Sequence, residues 1–370
     1  MNLNSDNRTV LTLDAGGTNF VFTAIQANKE ITQPVTLPSN ADKLTHCIET
    51  IEEGFRSVMS QLKQNPVALS FAFPGPSDYR TGIIGKLNNL PAFTGNIPLG
   101  PLLKNMFHLP VFINNDGDLY AYGEALSGFL PHINNLLKEA GIKKQYRNLI
   151  GLTLGTGFGG GIVQNEELLL GDNSMAAEVW LLRNRINPAT NAEEGISIRA
   201  IRRVYVEKAG IDPSLCPTPK EIFEIASGKR AGNIEAATEA FRQLGKVLGD
   251  VLGNLLTVID GVAVIGGGLS GAMPVILPAM IEEINATYIS YSGNSYPRLV
   301  QKIYNIDDPL ATSEFLRWKE QIVEVPGSDK KISCYSEART PIGTSIIGTS
   351  KAIALGAYAY ALKKLEPSSY

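Results

Sequence analysis

At 370 residues, 44% of them hydrophobic, the chain has material for two domains of ~100–200 residues, each with its own core. Its 33 Lys and Arg against 36 Asp and Glu give a formal net charge of −3. That leaves no basic surplus to hold a nucleic-acid backbone by counterion release and no polybasic run for an anionic membrane.

Residues 9–14, TVLTLD, read as a strand; the turn AGGTN and a returning strand, FVFTAIQ, follow. Ile48, Ile51, Phe55, Val58, Met59 and Leu62 recur at helical spacing, which predicts a helix from about Ala41 to Lys63 with Ser39 or Asn40 as its N-cap. PVALSFAF (66–73) and PVFIN (110–114) are further strands, and the second runs into NDGDLYAYGEAL, polar first and then amphipathic. Asp116 therefore falls where a strand ends and a helix begins, the end of an open α/β sheet at which ligands collect. An Asp in that place also has an ordinary role as a helix N-cap.

At Leu149 the opening pattern returns: LIGLTL, the turn GTGFGG and GIVQN. This is a weak internal repeat, and it suggests a duplicated architecture whose two glycine turns face one cleft. Helix 234–258, strand 262–265, a GGG turn and another helix continue an α/β alternation. Residues 297–340 are polar and poor in periodicity and read as an insertion. A C-terminal helix then presents Ile353, Ala354, Ala357, Tyr358 and Ala361 on one face.

The three cysteines, Cys47, Cys216 and Cys334, show no CxxC or CxC spacing, and an odd count closes no complete disulfide framework. The N-terminus lacks a signal pattern and no apolar run approaches the ~20 residues that span a bilayer, so a cytoplasmic location is expected. His46, His108 and His132 have no metal spacing, and Trp180 and Trp318 read as packing residues.

GTGFGG contains the letters GxGxxG, but a dinucleotide fingerprint needs a helix directly after the turn, and here β-branched strand residues follow. No Gly-Lys pair is followed by Ser or Thr, so there is no Walker A loop. What remains is a pair of glycine hairpins whose N–H groups can form anion-binding concavities, since glycine permits close approach and positive φ. DAGGTN adds the Thr18 hydroxyl and the Asp14 carboxylate, which can orient a hydrated Mg²⁺.

The ordered set LDAGGTN (13–19), FPGP (73–76), NNLPAF (88–93), INNDGDLYAYGEA (113–125), LTLGTGFGGGI (152–162) and VIGGGLS (264–270) resembles the ROK family of sugar kinases, within the actin-like ATPase superfamily. The resemblance covers most of the chain apart from 297–340. It implies an α/β, two-lobed actin-like (ribonuclease H-like) fold with a cleft between lobes, one lobe from 1–125 plus 350–370 and the other from 126–349. It also implies that Gly16, Gly17 and Thr18, with Asp14, and Gly155, Thr156 and Gly157 meet the phosphates of ATP, and that Gly266, Gly267 and Gly268 flank the adenosine. Asp116 is then the catalytic base, with Asn89 and Asn115 holding sugar hydroxyls; a homodimer is what the family suggests.

The family usually shows GExGH followed by a Cys-rich zinc knot. Here AAEVWLL keeps the carboxylate at Glu178 but has Leu181 at the His position, and the CxCGxxGC pattern is absent. Structural zinc takes about four N or S ligands, so none is expected. EEGIS keeps the family's Glu-to-Ser spacing at Glu193 and Ser197, which makes Glu193 the expected sugar ligand and Glu194 the fallback.

The expectation is an ATP- and Mg²⁺-dependent kinase of a hexose hydroxyl, O6 of glucose or a related hexose. The alternatives are a catalytically weak sugar-sensing ROK-like protein and a kinase of an N-acetylated amino sugar. DNA-binding regulators of the family carry an N-terminal helix-turn-helix, for which LDAGGTN beginning at residue 13 leaves no room.

Overall fold

The computed structural model describes residues 2–75, 77–87 and 90–366. The chain forms two compact units, one from 1–131, 161–177 and 346–370, the other from 132–160 and 178–345.

The first unit opens with β1 (Val10–Ala15) and β2 (Asn19–Gln26), antiparallel, with Val10 opposite Ile25 and Ala15 opposite Phe20. Short strands β3 (Lys29–Glu30) and β4 (Val35–Pro38) both pair with β2. After α1 (Leu44–Met59) comes β5 (Ala68–Ala72), parallel to β1. A small separate sheet follows: β6 (Ser77–Asp78), β7 (Ile83–Lys86) and β8 (Thr94–Ile97). Then α2 (Leu99–Phe107) leads to β9 (Val111–Asn114), parallel to β5, which closes the order β3-β2-β1-β5-β9. All five residues of β5 are buried, as its near-continuous apolar sequence requires of a strand covered on both faces. On one face Phe22, Phe55, Phe71, Phe73 and Phe107 pack ring against ring at 5.1–6.2 Å. Each buried ring contributes roughly 1.5–3 kcal/mol.

The first helix departs from the expected start. Its N-cap is Lys43, without a side-chain cap bond. Ser39 is engaged elsewhere, donating from its hydroxyl to the Gly17 carbonyl at 2.7 Å, and Asn40, at φ +48°, donates to the Thr50 hydroxyl at 2.9 Å. Tertiary hydrogen bonds here outcompete the local cap.

Helix α3 (Asp116–Ser127) leaves β9 directly, and α4 (Phe129–Glu139) follows. In the second unit, β10 (Leu149–Leu154) and the start of β11 (Phe158–Gln164) flank the second glycine turn; the far end of β11 and β12 (Glu167–Leu168), which pair antiparallel, fall in the 161–177 segment of the first unit. Helices α5 (Ile198–Ala209), α6 (Pro219–Ala226) and α7 (Ile234–Val258) precede β13 (Val262–Gly266), and α8 (Met273–Ile284) follows it. β13 is parallel to β10.

The polar stretch from 297 to 340 is not a simple insertion. After the hairpin β14 (Thr287–Ile289) and β15 (Ser295–Pro297), it supplies β16 (Lys302–Asn305), α9 (Pro309–Phe315), and the exposed hairpin β17 (Glu320–Glu324) and β18 (Lys331–Tyr335). It also begins β19 (Arg339–Thr344). β16 and β19 run parallel and extend the main sheet to β11-β10-β13-β19-β16. Among the hydrophobic residues of 297–340 only Leu299, Ile303, Tyr304 and Phe315 are buried, too few for a periodic signal to show.

Helix α10 (Thr349–Leu365) packs on α3 and against β5 and β1 of the first unit. The predicted single apolar face is not what it shows. Ala352, Leu355, Gly356, Ala357, Tyr358, Ala359, Ala361 and Leu362 are buried around the helix, whereas Ile353 and Ala354 are only partly so. A helix held between another helix and a sheet has no solvent face along its middle. The α3–α10 contact is backbone-close: a Cβ on Gly356 would lie 1.9 Å from the Leu119 carbonyl oxygen, and one on Gly123 1.9 Å from that of Ala352. Gly356→Ala is therefore expected to destabilise by ~1–3 kcal/mol, the range for overpacking, read as a lower urea midpoint at unchanged m.

Candidate active site

In the first unit, β1 ends at Asp14 and Ala15, and the turn that follows closes with the Gly16 N–H donating to the Asn19 carbonyl at 3.1 Å. Ser39 braces it from one side: its N–H takes the Thr18 carbonyl at 2.8 Å and its hydroxyl the Gly17 carbonyl at 2.7 Å. Because a trans peptide holds its N–H opposite its C=O, fixing the Gly17 carbonyl fixes the Thr18 amide on the other side. Ser39 thus braces the turn 16–18, which local sequence does not signal.

Asp116 lies just past the carboxyl end of β9, as the first residue of α3. It is not the cap; Asn115 is, with its side-chain oxygen accepting the Gly117 N–H at 2.7 Å. The Asp116 carboxylate also accepts that N–H, at 2.9 Å. Asp116 is exposed by accessible area, yet the protein packed around its carboxylate raises its pKa above the ordinary range. Backbone N–H groups partly offset this, and the Asp14 charge adds to it. Burial likewise raises the pKa of Asp14. The order β1-β5-β9 explains the proximity, since both carboxylates stand at the ends of parallel strands with one strand between.

Tyr79 is a further residue of this site without a sequence signal. Its hydroxyl donates to the Phe73 carbonyl at 3.2 Å and is hydrogen-bonded to the Asn115 side chain, linking FPGP to the start of α3. Burial drives its pKa well above the usual phenol value. Asn89 lies outside the described residues.

The second unit assembles the other candidates. The turn Gly155–Gly157 joins β10 to β11, and the segment carrying Glu193 and the start of α5 is bonded to it at successive positions. Ile198 N–H donates to the Gly155 carbonyl at 3.0 Å, Arg199 Nη1 to the Thr156 carbonyl at 3.4 Å, and Phe158 N–H to Glu193 Oε2 at 3.0 Å. Gly157 is required by close approach, because a Cβ there would sit 2.7 Å from Glu193 Oε2. Arg199 Nη2 reaches Glu193 Oε1 at 2.8 Å and Glu194 Oε1 at 3.3 Å. Arg199 carries no sequence signal because its partners are 5 to 43 residues away.

The GGG turn is beside the same structure. Gly266 ends β13, and Gly267 adopts φ +89° with its Cα against the Leu154 backbone, where a Cβ would be 2.3 Å from the carbonyl oxygen. The Leu269 N–H then donates to that carbonyl at 3.0 Å, so Gly268 follows within one residue of the end of β10. Among the site glycines Gly16, Gly17, Gly155, Gly157 and Gly266–Gly268, positive φ occurs at Gly267 alone. Close approach is the constraint at Gly16, Gly157 and Gly267, whereas a Cβ on Gly155 or Gly268 would meet open space.

Glu178 is half-buried and accepts the indole N–H of Trp180. Leu181, three residues on, is 57% exposed. The segment doubles back so that the Ala192 N–H donates to the Leu182 carbonyl at 2.6 Å, which brings the stretches bearing Glu178 and Glu193 together.

The family model described as ROK family matches residues 10–304. A crystal structure of glucokinase from Parabacteroides distasonis is similar over 99% of this chain and 100% of its own, at 50% identity and a TM-score of 0.89. N-acetyl-D-glucosamine kinase of Vibrio cholerae is 27% identical over 270 residues, 70% of this chain and 83% of the relative. A ROK family glucokinase from Streptomyces griseus, in complex with glucose and AMPPNP, shares the fold at 16% identity and a TM-score of 0.59, over 95% and 98% of the two chains.

Proposed function

Because this chain belongs to the ROK family, we propose that it is an ATP-dependent sugar kinase that phosphorylates a hexose, glucose or a related sugar, at O6. The observation that carries the chemistry is the place of Asp116, first residue of α3 just past the carboxyl end of β9, with Asp14 at the end of β1 and a single strand between them. General-base catalysis is most efficient when the base's pKa approaches the working pH, and burial moves Asp116 in that direction. Its role is to orient the O6 hydroxyl and accept its proton as the hydroxyl attacks the γ-phosphorus.

Phosphoryl transfer asks the protein for positioning and charge stabilisation more than for covalent chemistry. The turns 16–18 and 155–157 supply backbone N–H groups for the ATP phosphates, and Gly266–Gly268 the adenosine wall. Mg²⁺ accompanying ATP would neutralise charge on the phosphates. Asp14 fits it, because a cation would relieve the repulsion that Asp14 exerts on Asp116. Asn89, Asn115, Glu178 and Glu193 read the sugar hydroxyls; Asn115 does so while its side chain caps α3 through the Gly117 N–H. The reading includes no structural zinc, since the chain has no CxCGxxGC run and Leu181 in place of the family's His.

An amino-sugar substrate is the second reading, favoured by the Vibrio cholerae relative and by Leu181, an apolar side chain beside Glu178 where the family shows His. ADP release with MgATP across glucose, mannose, fructose, N-acetylglucosamine and N-acetylmannosamine separates the two. Turnover highest with glucose supports the first, and highest with an N-acetylated sugar the second. No turnover from folded, ATP-binding protein would remove both.

A further inference from the structure

We propose that Arg199 is a positioning residue that couples hexose at Glu193 to the aim of the turn 155–157, so that hexose and nucleotide bind cooperatively. The inference rests on the reading that Glu193 meets the hexose and that this turn meets the phosphates.

The carbonyls of Gly155 and Thr156 are taken by the Ile198 N–H at 3.0 Å and by Arg199 Nη1 at 3.4 Å. In each planar peptide the N–H points opposite the carbonyl, so these two bonds aim the amides of Thr156 and Gly157 to the other side, as an anion-binding pair requires. The Arg199 bond is the longer and more adjustable of the two. The same guanidinium holds Glu193 Oε1 at 2.8 Å through Nη2, and Glu193 Oε2 accepts the Phe158 N–H at 3.0 Å. Carboxylate and turn are thereby linked at two points, one through Arg199 and one direct.

A guanidinium is a rigid fork, so a change at one nitrogen moves the others. When a hexose hydroxyl donates to Glu193, the carboxylate shares its charge with another donor and loosens on Arg199. The fork, 53% exposed, then shifts its grip on the Thr156 carbonyl, the longest of its bonds at 3.4 Å, and rotates the peptide that carries the Gly157 amide. Sugar occupancy is in this way reported to the phosphate turn through a single side chain.

The test is calorimetric titration of AMPPNP with Mg²⁺ into the wild-type chain, with and without saturating amounts of the hexose that gives turnover. Wild type is expected to bind the nucleotide ~5–150-fold more tightly with hexose present, the usual span of coupling, and Arg199→Gln to bring that ratio to about 1. Glu194→Gln removes the other carboxylate on Arg199, at 3.3 Å, and is expected to keep the wild-type ratio. If Arg199→Gln melts below the assay temperature, Arg199→Lys replaces it and is expected to lose the coupling equally, since a point charge cannot hold Glu193 and Thr156 together. No coupling in wild type, full coupling in the Arg199 variant, or equal loss in Glu194→Gln would overturn the proposal. A wild-type chain that phosphorylates no hexose would instead overturn the kinase reading beneath it.

Discussion

Asp116→Asn is expected to lower kcat by ~10²–10⁴, the range for removal of a general base, while the chain melts at the same temperature or higher. The two halves of this result come from one cause. Desolvation, helped by the Asp14 charge, raises the Asp116 pKa in the fold. A carboxyl with a folded pKa above its unfolded value begins to cost stability as pH rises through the unfolded value, and the full cost is present above the folded one. At neutral pH the ionised Asp116 therefore opposes folding, and the isosteric amide removes that opposition. Parallel measurement of hexose-dependent ADP release and thermal melting decides it; unchanged turnover would take Asp116 out of the mechanism.

The same shift predicts the acid limb of activity. The working form is the carboxylate, so kcat/KM should fall as pH drops through the raised pKa, above the ~3.9 of an unperturbed Asp. Asp14→Asn removes the neighbouring negative charge and should move that limb toward lower pH in whatever activity the variant keeps.

Arg298→Ala is expected to cost ~3–5 kcal/mol of stability, the penalty for removing one partner of a buried ion pair. The Arg298 side chain is 4% exposed and binds Glu283 Oε1 at 2.8 Å and Asp250 Oδ1 at 2.6 Å; Glu283 is itself 7% exposed. Glu283 also accepts from Arg185, which lies on the strand-like loop between the Glu178 and Glu193 segments. Truncating Arg298 leaves Asp250 with the Asn254 amide at 3.2 Å and Glu283 with Arg185 alone, and Glu283, 7% exposed, has little access to water to replace the lost donor. Replacing the two most buried members by apolar residues of similar size, Arg298→Met with Glu283→Leu, should recover part of the loss, because their desolvation cost disappears while Asp250 and Arg185, both more exposed, keep their charges. Urea unfolding of the three proteins gives the comparison, and an Arg298→Ala midpoint within error of wild type would show that water replaces the guanidinium.

What is legible in the sequence follows from local patterns. The strand–glycine turn–strand units at 9–26 and 149–164, and helix 234–258, occur where the sequence predicts them, since short-range apolar periodicity and turn chemistry decide them. The ordered glycine and Asn-Asp motifs suffice to recognise the family, because each is a short run whose residues act together. Asp116 at a strand-to-helix junction is also readable, as a matter of chain order alone.

Other features belong to the tertiary structure because their partners are remote in sequence. Ser39 is free to cap a helix as far as local sequence shows, but a carbonyl 22 residues away claims its hydroxyl. The stretch 297–340 looks like a polar excursion, yet β16 and β19 pair with each other across more than thirty residues in the main sheet. Helix α10 has one visible apolar stripe and is buried all round, because small residues such as Gly356 let α3 approach where hydrophobicity gives no hint. The raised pKa of Asp116 and the bonding of Glu193 and Arg199 to the turn 155–158 have the same origin. Sequence determined which groups capable of chemistry the chain carries and which local elements bear them. Only packing decided which of them lose water and which share a hydrogen bond, because desolvation and charge proximity depend on distance through space, and local pattern records distance along the chain.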